Sequence, residues 1–513
     1  MSFINLVELK NFNVFPEYFI GISALYILVI AVLISYNVYG LLIQKALSEC
    51  VGLLLLLACY LLLNGYLEVS GAISVPYSTL GFSRFMITDY FAFSAKFVVC
   101  FFSALYFFII AGFLKDYKLT SFEYLFIGLL AVLGLMLLCS SNDLLTAYLS
   151  IELISLSSYI LAAFKKNSAY SAEAGIKYLI TGAISSAFFL FGSSFIYAYS
   201  GTVNITDLWL ITYHENWLVS GAKSNLLEPL LEIGLAFVLF SLFIKLALAP
   251  FHVWSLDVYE GSPTISTFFF AVITKLSFFV FLTRLTYMGA FGSFEVWQGY
   301  GVVIALSSVF VGSFGGLCQR KLKTLLAYSS VSHMGYALLA FSAGSRFSAE
   351  MLFFYLVIYM LSGLGVWFIV LATQVKQKRY TDKFNKELGD LVLLRRSNPA
   401  LAIALMLTMF SIAGIPPLIG FFAKMGVFLS VLQAKNYLVA MLAILCSVVS
   451  TFYYLRIIKV LFFENLLVGR LYQPLTSLKT FLFSASIVSL IFFFVNPTFL
   501  CLIIYKIVLC SFV

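Results

Sequence analysis

Charge is scarce in this sequence. Of its 513 residues, 10% are Asp, Glu, Lys or Arg and 62% are hydrophobic, whereas soluble domains carry about 25% charged residues. A soluble fold would expose the excess apolar side chains as large patches, so the composition excludes an ordinary soluble protein and indicates a membrane protein. We interpret the formal net charge of +9 as basic residues facing a membrane surface, and not as a nucleic-acid-binding signal.

Cysteine motifs are also absent. No two of the eight cysteines form a CxxC pair, and most lie in apolar runs. This pattern indicates neither a disulfide framework nor an iron–sulfur or zinc site, so we expect no metal site in this chain. Residues 1–16 lack the signal-peptide pattern, which predicts that the first apolar run is kept as a spanning helix. The cysteines are Cys50, Cys59, Cys100, Cys139, Cys318, Cys446, Cys501 and Cys510.

About fourteen apolar runs are long enough to cross a bilayer, which requires ~20 residues each. We therefore predict an all-α polytopic membrane protein with about 14 transmembrane helices. The predicted spans, numbered 1 to 14 in chain order, are 17–40, 49–69, 89–114, 122–140, 143–164, 172–200, 229–258, 262–288, 297–317, 324–343, 349–374, 398–433, 436–463 and 480–508.

Basic residues are concentrated in the connections that follow odd-numbered spans. The connection 375–397 alone carries seven of them, whereas the connections after even-numbered spans carry Arg84, Lys223, Arg346 and Lys435. The positive-inside rule then predicts that the odd-to-even connections face the cytoplasm or the mitochondrial matrix. Both termini are expected on the opposite side, which in a mitochondrion is the intermembrane space.

Two spans contain proline and are too long for one straight helix. Pro250 interrupts span 7, and Pro416 with Pro417 interrupts span 12, because proline removes a helical hydrogen bond. A simple packing kink is the alternative. Spans 4–8 and 9–13 hold an odd number of helices each, so the second block is inverted, and paired broken helices in inverted repeats are typical of transporters. We predict N-terminal helices in 1–121, repeats in 122–288 and 297–463, and a last helix in 464–513.

Ionisable residues in the middle of a span are costly and are usually functional. The candidates for proton translocation are Glu152, Lys245, Lys275, Lys424 and His333. The pattern predicts that Glu152 pairs with Lys245 and that each lysine exchanges a proton as its partner changes. The alternatives are a static ion pair for Glu152 and Lys245, an interfacial position for Lys275, and a core histidine for His333.

Other ionisable residues lie nearer to the predicted span ends. They permit either a proton uptake route or a capping role, and Lys96 is expected to reach the interface by snorkelling. They are Lys96, Lys177, Glu232, His252, Asp257 and Glu260.

Several segments resemble one known family in the same order along the chain. LAPFHVWSLDVYEGSPT (248–264), RKLKTLLAYSSVSHMGYALLAF (320–341) and SIAGIPPLIGFFAKMGVFL (411–429) resemble the antiporter-like subunits of respiratory complex I and the Mrp-type antiporters. ELISLSSYILAAF (152–164) and the segment 171–201 are more narrowly similar to subunit 2 of NADH:ubiquinone oxidoreductase. Leu256 departs from the family pattern, which has proline there, so the geometry of Asp257 is left open.

The resemblance implies a role for four of the candidate residues. Glu152 would modulate the pumping lysine, Lys245, and Lys275 would bridge to Lys424 at the end of the channel. It also implies a proton-translocating subunit of an NADH:ubiquinone reductase in the mitochondrial inner membrane. NADH, FMN, iron–sulfur clusters and ubiquinone would be bound by other subunits. Expected partners are antiporter-like subunit 4, small membrane subunits and phospholipids such as cardiolipin. An Mrp-type cation/proton antiporter subunit and a non-conducting scaffold remain alternatives.

Overall fold

The computed structural model describes residues 15–35, 40–71, 79–81, 84–114, 119, 122–218, 228–289, 294–373, 387–392, 394–464 and 477–511. The prediction that both termini lie on the side of the membrane opposite to the basic connections concerns residues outside these ranges. The basic residues of 115–118, 219–227, 374–386 and 465–476 also lie outside them.

The described residues are mostly helical. A short antiparallel hairpin pairs β1 (Thr79–Gly81) with β2 (Met86–Thr88). The helices are α1 Phe15–Ser35, α2 Gly40–Gly71, α3 Tyr90–Ile110, α4 Glu123–Ser140, α5 Leu144–Ala163, α6 Ala169–Ser200, α7 Ile205–Leu218, α8 Glu228–Leu246, α9 Val253–Gly261, α10 Thr264–Val272, α11 Thr274–Thr283, α12 Phe294–Gly315, α13 Leu322–Ser342, α14 Arg346–Ala372, α15 Leu394–Ser397, α16 Pro399–Ala413, α17 Gly420–Gln433, α18 Tyr437–Phe463, α19 Ser477–Val495 and α20 Pro497–Ser511. A π-helical turn, Arg284–Gly289, follows α11.

The prediction of an all-α polytopic membrane protein is confirmed. Among the described residues, eleven helices are long and apolar enough to cross a membrane, and a bent pair brings the number to 12. The two remaining predicted spans correspond to α13, which is long but more polar, and to α16 with α17, which are shorter apolar helices. The count of about fourteen therefore stays a prediction.

Two elements differ from the predicted layout. The connection 201–228 contains α7, which was not expected. The run 480–508 was expected to form one span, but α19 and α20 meet at an angle of 87°. Pro497 is the first residue of α20, and a proline at this position suits a helix start but prevents an uninterrupted helix from passing through it.

Both predicted helix breaks are present, and they share a local geometry. α8 ends at Leu246 and is followed by Ala247 with φ 60°, whereas α16 ends at Ala413 and is followed by Gly414 with φ 80°. In each case the residue after the helix adopts the left-handed conformation, which terminates helices. The prolines follow at the same distance, at 250 and at 417.

The described chain groups into two compact units. Unit 1 comprises residues 1–246, 273–298 and 506–513, and unit 2 comprises residues 247–272 and 299–505. The two units are defined by contacts between residues, and their boundaries differ from those of the predicted repeats, 122–288 and 297–463. The repeats remain a prediction. In unit 1, α6 packs along α8 at Gly192 and Gly234, where an added Cβ at either position would lie within 2.9 Å of the other glycine's carbonyl oxygen.

Candidate functional site

Lys245 lies in the last turn of α8, in unit 1, and its side chain is buried. Its Nζ donates a hydrogen bond to the hydroxyl oxygen of Tyr159 on α5 at 3.3 Å and lies 5.7 Å from the centre of that ring. A cation is favoured at this end of a helix because the last carbonyl groups carry partial negative charge. The structure therefore holds Lys245 between a helix C-terminus and an aromatic hydroxyl.

Glu152 lies on α5 and is half-buried. Its Oε2 accepts a hydrogen bond from Ser155 at 3.2 Å, while its buried Oε1 has no hydrogen-bond partner among the described residues. No ion pair within 4.0 Å joins Glu152 to Lys245 in the described part of the chain. The contact of Lys245 is instead Tyr159, which lies about 10 Å further along the α5 axis at 1.5 Å per residue. Glu152 nevertheless lies close enough to Lys245 to attract its ammonium, so the predicted pairing is not a direct contact but an interaction at longer range.

Lys275 lies on α11 and is buried, with 2% of its surface exposed. Its Nζ donates a hydrogen bond to the carbonyl oxygen of Leu246 at 3.0 Å. Leu246 is the last residue of α8 and directly follows Lys245. Unit 1 therefore places two buried lysines near the end of α8, each with its own acceptor: the Tyr159 hydroxyl for Lys245 and the Leu246 carbonyl for Lys275.

Lys424 occupies the equivalent position in unit 2. Its Nζ donates a hydrogen bond to the carbonyl oxygen of Ala413 at 2.8 Å, and it lies 5.5 Å from the centre of the Tyr336 ring. Ala413 is the last residue of α16 and stands at the same place in its break as Leu246 does in the other. Each unit thus pairs a buried lysine with the last carbonyl group before a helix break.

His333 lies on α13 and is buried beside four tyrosines, Tyr336, Tyr355, Tyr359 and Tyr454. Its Nδ1 is 2.6 Å from the Tyr355 hydroxyl, and its Nε2 is 3.1 Å from the Tyr454 hydroxyl. Both ring nitrogens are therefore hydrogen-bonded, which is the arrangement of a satisfied core histidine and also of a member of a polar chain.

A small cavity in unit 2 is lined by both His333 and Lys424. The cavity has a volume of about 20 Å³, which is enough for one water molecule. Its lining is mostly apolar but includes polar residues of the kind that a buried water needs as partners. The polar residues that line it are His333, Tyr355, Tyr359, Ser362, Ser411 and Lys424.

Of the ionisable residues predicted near the span ends, some lie in exposed ion pairs and one lies in a buried ion pair. Glu260 pairs with Lys321, and Glu173 pairs with Lys177 at 2.7 Å, both at exposed positions. Lys96 does not snorkel, because it is 1% exposed and forms an ion pair with Glu17. A buried charge costs less when an opposite charge lies beside it than when it stands alone. Among the described residues, no cluster of His, Cys, Asp or Glu is placed to hold a metal ion.

Sequence reasoning missed several polar residues of unit 1. Tyr159 lies two helical turns after Glu152 and therefore on the same face of α5, a spacing from which its place in the site was predictable. Arg284 is an arginine inside an apolar run, and the same cost argument that selected the lysines applies to it. It forms a buried ion pair with Asp89 at 2.9 Å. Glu17 gave no signal, because it lies beside the mixed N-terminal segment.

Comparison with known proteins assigns the chain to a family. Residues 141–450 match the family described as NADH:quinone oxidoreductase/Mrp antiporter, TM, and the chain belongs to this family. It is 38% identical over 397 residues to NADH-ubiquinone oxidoreductase chain 2 of Marchantia polymorpha, covering 77% of this chain and 78% of that one. It is 35% identical over 461 residues to NADH-quinone oxidoreductase subunit N of Paramagnetospirillum magneticum, covering 88% of both.

Solved structures agree with this assignment. A chain of respiratory complex I from Thermus thermophilus, solved with bound Aureothin, is 27% identical and aligns with a TM-score of 0.74 over 95% of this chain and 98% of that one. A chain of the Mrp complex from Dietzia sp. aligns with a TM-score of 0.79 at 19% identity, over 98% and 97% of the two chains. The second likeness shows the fold alone.

Proposed function

We propose that this chain is the antiporter-like, proton-translocating membrane subunit of an NADH:quinone oxidoreductase, equivalent to chain 2 or subunit N. The observation that carries the proposal is the repeated contact between a buried lysine and the last carbonyl group before a helix break. Its relatives in sequence bear the names of that subunit. The chain is a multi-pass membrane protein of this respiratory complex, and its partners are other subunits of the complex.

The buried lysines supply the chemistry in this proposal. An ammonium at a helix C-terminus is stabilised by the partial negative charge of the carbonyl groups. If Lys275 moves away from the carbonyl of Leu246, or Lys424 from that of Ala413, a buried cation loses its acceptor, and release of its proton relieves the cost. Breaks in the helices allow such movement, because the backbone there is not held by regular helical hydrogen bonds.

Glu152 and Tyr159 are proposed to set the charge state of Lys245. Tyr159 contacts the lysine, and Glu152 lies on the same polar face of α5. Transfer toward Lys275 is favoured by the position of both lysines at the end of α8. In unit 2 a water in the cavity would connect His333 with Lys424. His333 is included in the proposal because of this connection. Its two ring nitrogens already have hydrogen-bond partners, so its own part in proton transfer depends on the water.

Redox chemistry belongs elsewhere in this proposal. The chain would bind no NADH, FMN, iron–sulfur cluster or ubiquinone, and the other subunits would supply electron transfer and the energy for pumping. We further propose the mitochondrial inner membrane as its location, with both termini in the intermembrane space. The neighbours would include antiporter-like subunit 4, small membrane subunits and cardiolipin.

A native gel distinguishes the proposal from an Mrp-type antiporter. Membranes that contain the epitope-tagged chain are solubilised, separated without denaturation and stained for NADH dehydrogenase activity. We expect the tag and the activity to migrate as one large band. Migration of the tag apart from the activity, together with cation/proton exchange in vesicles lacking NADH dehydrogenase, would instead assign the chain to the Mrp-type function.

A further inference from the structure

The two helix breaks present their carbonyl groups alike, but the residue that follows each helix differs. Leu246 is the last residue of α8 and Ala413 is the last residue of α16. Each offers its carbonyl oxygen to a buried lysine. The next residue is Ala247 with φ 60° in the first break and Gly414 with φ 80° in the second. The two breaks therefore obtain the same left-handed backbone from two different amino acids.

Ala247 is strained in this conformation, whereas Gly414 is not. A Cβ atom crowds the backbone at positive φ, so alanine populates the left-handed region about 5- to 30-fold less than its preferred region. Glycine has no Cβ and adopts positive φ as readily as negative φ. Ala247 is buried, and so are Leu246 before it and Leu248 after it. The packing around this segment therefore holds the strained conformation in place.

The end of α16 also has a hydrogen bond that the end of α8 lacks. The N–H groups of Gly414 and Ile415 both donate to the carbonyl oxygen of Phe410 at 3.1 Å, an arrangement that closes a helix end around a glycine. In α8 the hydrogen bond that corresponds to the one from Ile415 would run from Leu248 to Phe243, and it is absent from the described part of the chain. Strain and capping thus both make the end of α8 the less stable of the two.

The strain at Ala247 acts on Lys275 through one peptide group. The carbonyl of Leu246 and the N–H of Ala247 belong to the same planar unit, whose orientation depends on ψ of Leu246 and φ of Ala247. With the flanking chain in place, a return of Ala247 to a negative φ rotates this unit and turns the carbonyl oxygen away from the Lys275 ammonium. A buried ammonium that loses its acceptor is destabilised, and release of its proton removes that cost.

Resting on the proposed function, we infer that Ala247 is a positioning residue: its strained backbone makes the contact between Lys275 and Leu246 the more readily opened of the two. In the closed form Ala247 has the observed φ of 60° and Lys275 keeps its proton on the Leu246 carbonyl. In the open form Ala247 has a negative φ, and the Lys275 ammonium gives its proton to the next acceptor of the proposed pathway, which leaves a neutral amine. The contact between Lys424 and Ala413 has no such strain and stays closed longer.

The test is Ala247→Gly in the assembled complex. Glycine relieves the strain and adds no atoms, so the open form should become about 5- to 30-fold rarer. Hydrogen–deuterium exchange of the purified complex, read by mass spectrometry, reports this population, because the N–H of residue 247 turns with the peptide group. After correction for the intrinsic rate of glycine, we expect this amide to exchange more slowly by the same factor. In the unchanged chain, the end of α8 should exchange faster than the end of α16.

The same variant has a functional readout. In liposomes with NADH and quinone, NADH oxidation should slow by up to the same factor while the ratio of protons moved to NADH oxidised stays full, because each turnover still passes through the open form. The matched control is Ala343→Gly, at a buried alanine that directly follows α13 with φ −70°. This alanine has no strain to relieve, so neither the exchange at residue 247 nor NADH oxidation should slow.

Exchange at residue 247 that is unchanged or faster in Ala247→Gly would overturn this inference. Slower exchange with unchanged NADH oxidation would overturn it too, since the opening would then not serve proton release. Either result leaves the proposed function standing if Lys245→Ala lowers the ratio of protons to NADH, whereas the full ratio in Lys245→Ala would overturn the proposed function itself. Failure of Ala247→Gly to assemble would also overturn the inference, because relief of strain does not prevent folding.

Discussion

Gly414→Ala is expected to displace Lys424 without removing any charged group. A Cβ added at Gly414 would lie 2.7 Å from Cδ of Lys424 and 3.5 Å from its Nζ. Since Nζ is held on the carbonyl of Ala413, the side chain has to shift to relieve the contact, and we expect this shift to weaken or break the hydrogen bond. The substitution therefore tests whether the lysine-to-helix-end contact matters for pumping.

The magnitude follows from two separate costs. Gly414 has φ 80°, and an alanine in the left-handed conformation costs about 1–2 kcal/mol. Loss of a hydrogen bond to a charged group costs about 1.5–3 kcal/mol more. The second cost corresponds to a decrease of roughly 10- to 150-fold in the population that holds Lys424 on its acceptor.

Gly201→Ala separates these two costs. Gly201 ends α6 with φ 70°, and nothing lies within 4 Å of an added Cβ. This control carries the backbone cost alone, so we expect a lowered thermal midpoint and an unchanged ratio of protons to NADH in liposomes. Gly414→Ala should lower the ratio as well. Equal ratios in the two variants would refute the functional role of the contact between Lys424 and Ala413.

Two further substitutions test unit 1. A Cβ at Gly182 would lie 1.6 Å from the Tyr159 hydroxyl, so Gly182→Ala should displace the hydrogen-bond partner of Lys245 and lower the proton-to-NADH ratio. The control is Gly299→Ala, also in a helix, where the added Cβ has open space around it and the ratio should not change. Alanine has the higher helix propensity at both positions, so a loss of helix stability does not explain a lower ratio. Burial raises the pKa of the Asp143 carboxyl above its ordinary value of 3.8, so its ionisation costs stability. Asp143→Asn keeps an acceptor at this helix start and should raise the thermal midpoint at neutral pH, with the gain disappearing as the pH falls below the ordinary value. A gain that persists in acid would contradict this reasoning.

Much of the architecture was predictable because burial in a membrane leaves a strong trace along the chain. Apolar length marks most helices, and the prolines at 250, 416 and 417 mark the two breaks. Lysines such as Lys245 and Lys275 are conspicuous because charge in an apolar run is costly. The bend at Pro497 was missed, although the same argument about proline applied to it.

The contacts of these residues were not predictable, because they depend on tertiary packing. The acceptor of Lys275 is a carbonyl group on another helix, and every residue has a carbonyl group. The partner of Lys96 is Glu17, which lies near a mixed N-terminal stretch where a carboxylate is unremarkable. Sequence therefore identifies which charges are buried, whereas the structure identifies the partner that determines how each of them behaves.

Proton translocation by Lys245 is tested most directly by counting protons. The complex with Lys245→Ala is purified, reconstituted into liposomes and supplied with NADH and quinone, while a pH-sensitive dye and NADH absorbance are followed together. The matched control is Lys45→Ala, at an exposed position. The account predicts continued NADH oxidation with fewer protons moved per NADH in Lys245→Ala, and the full ratio in the control. An assembled Lys245→Ala complex that moves as many protons per NADH as the control would contradict it.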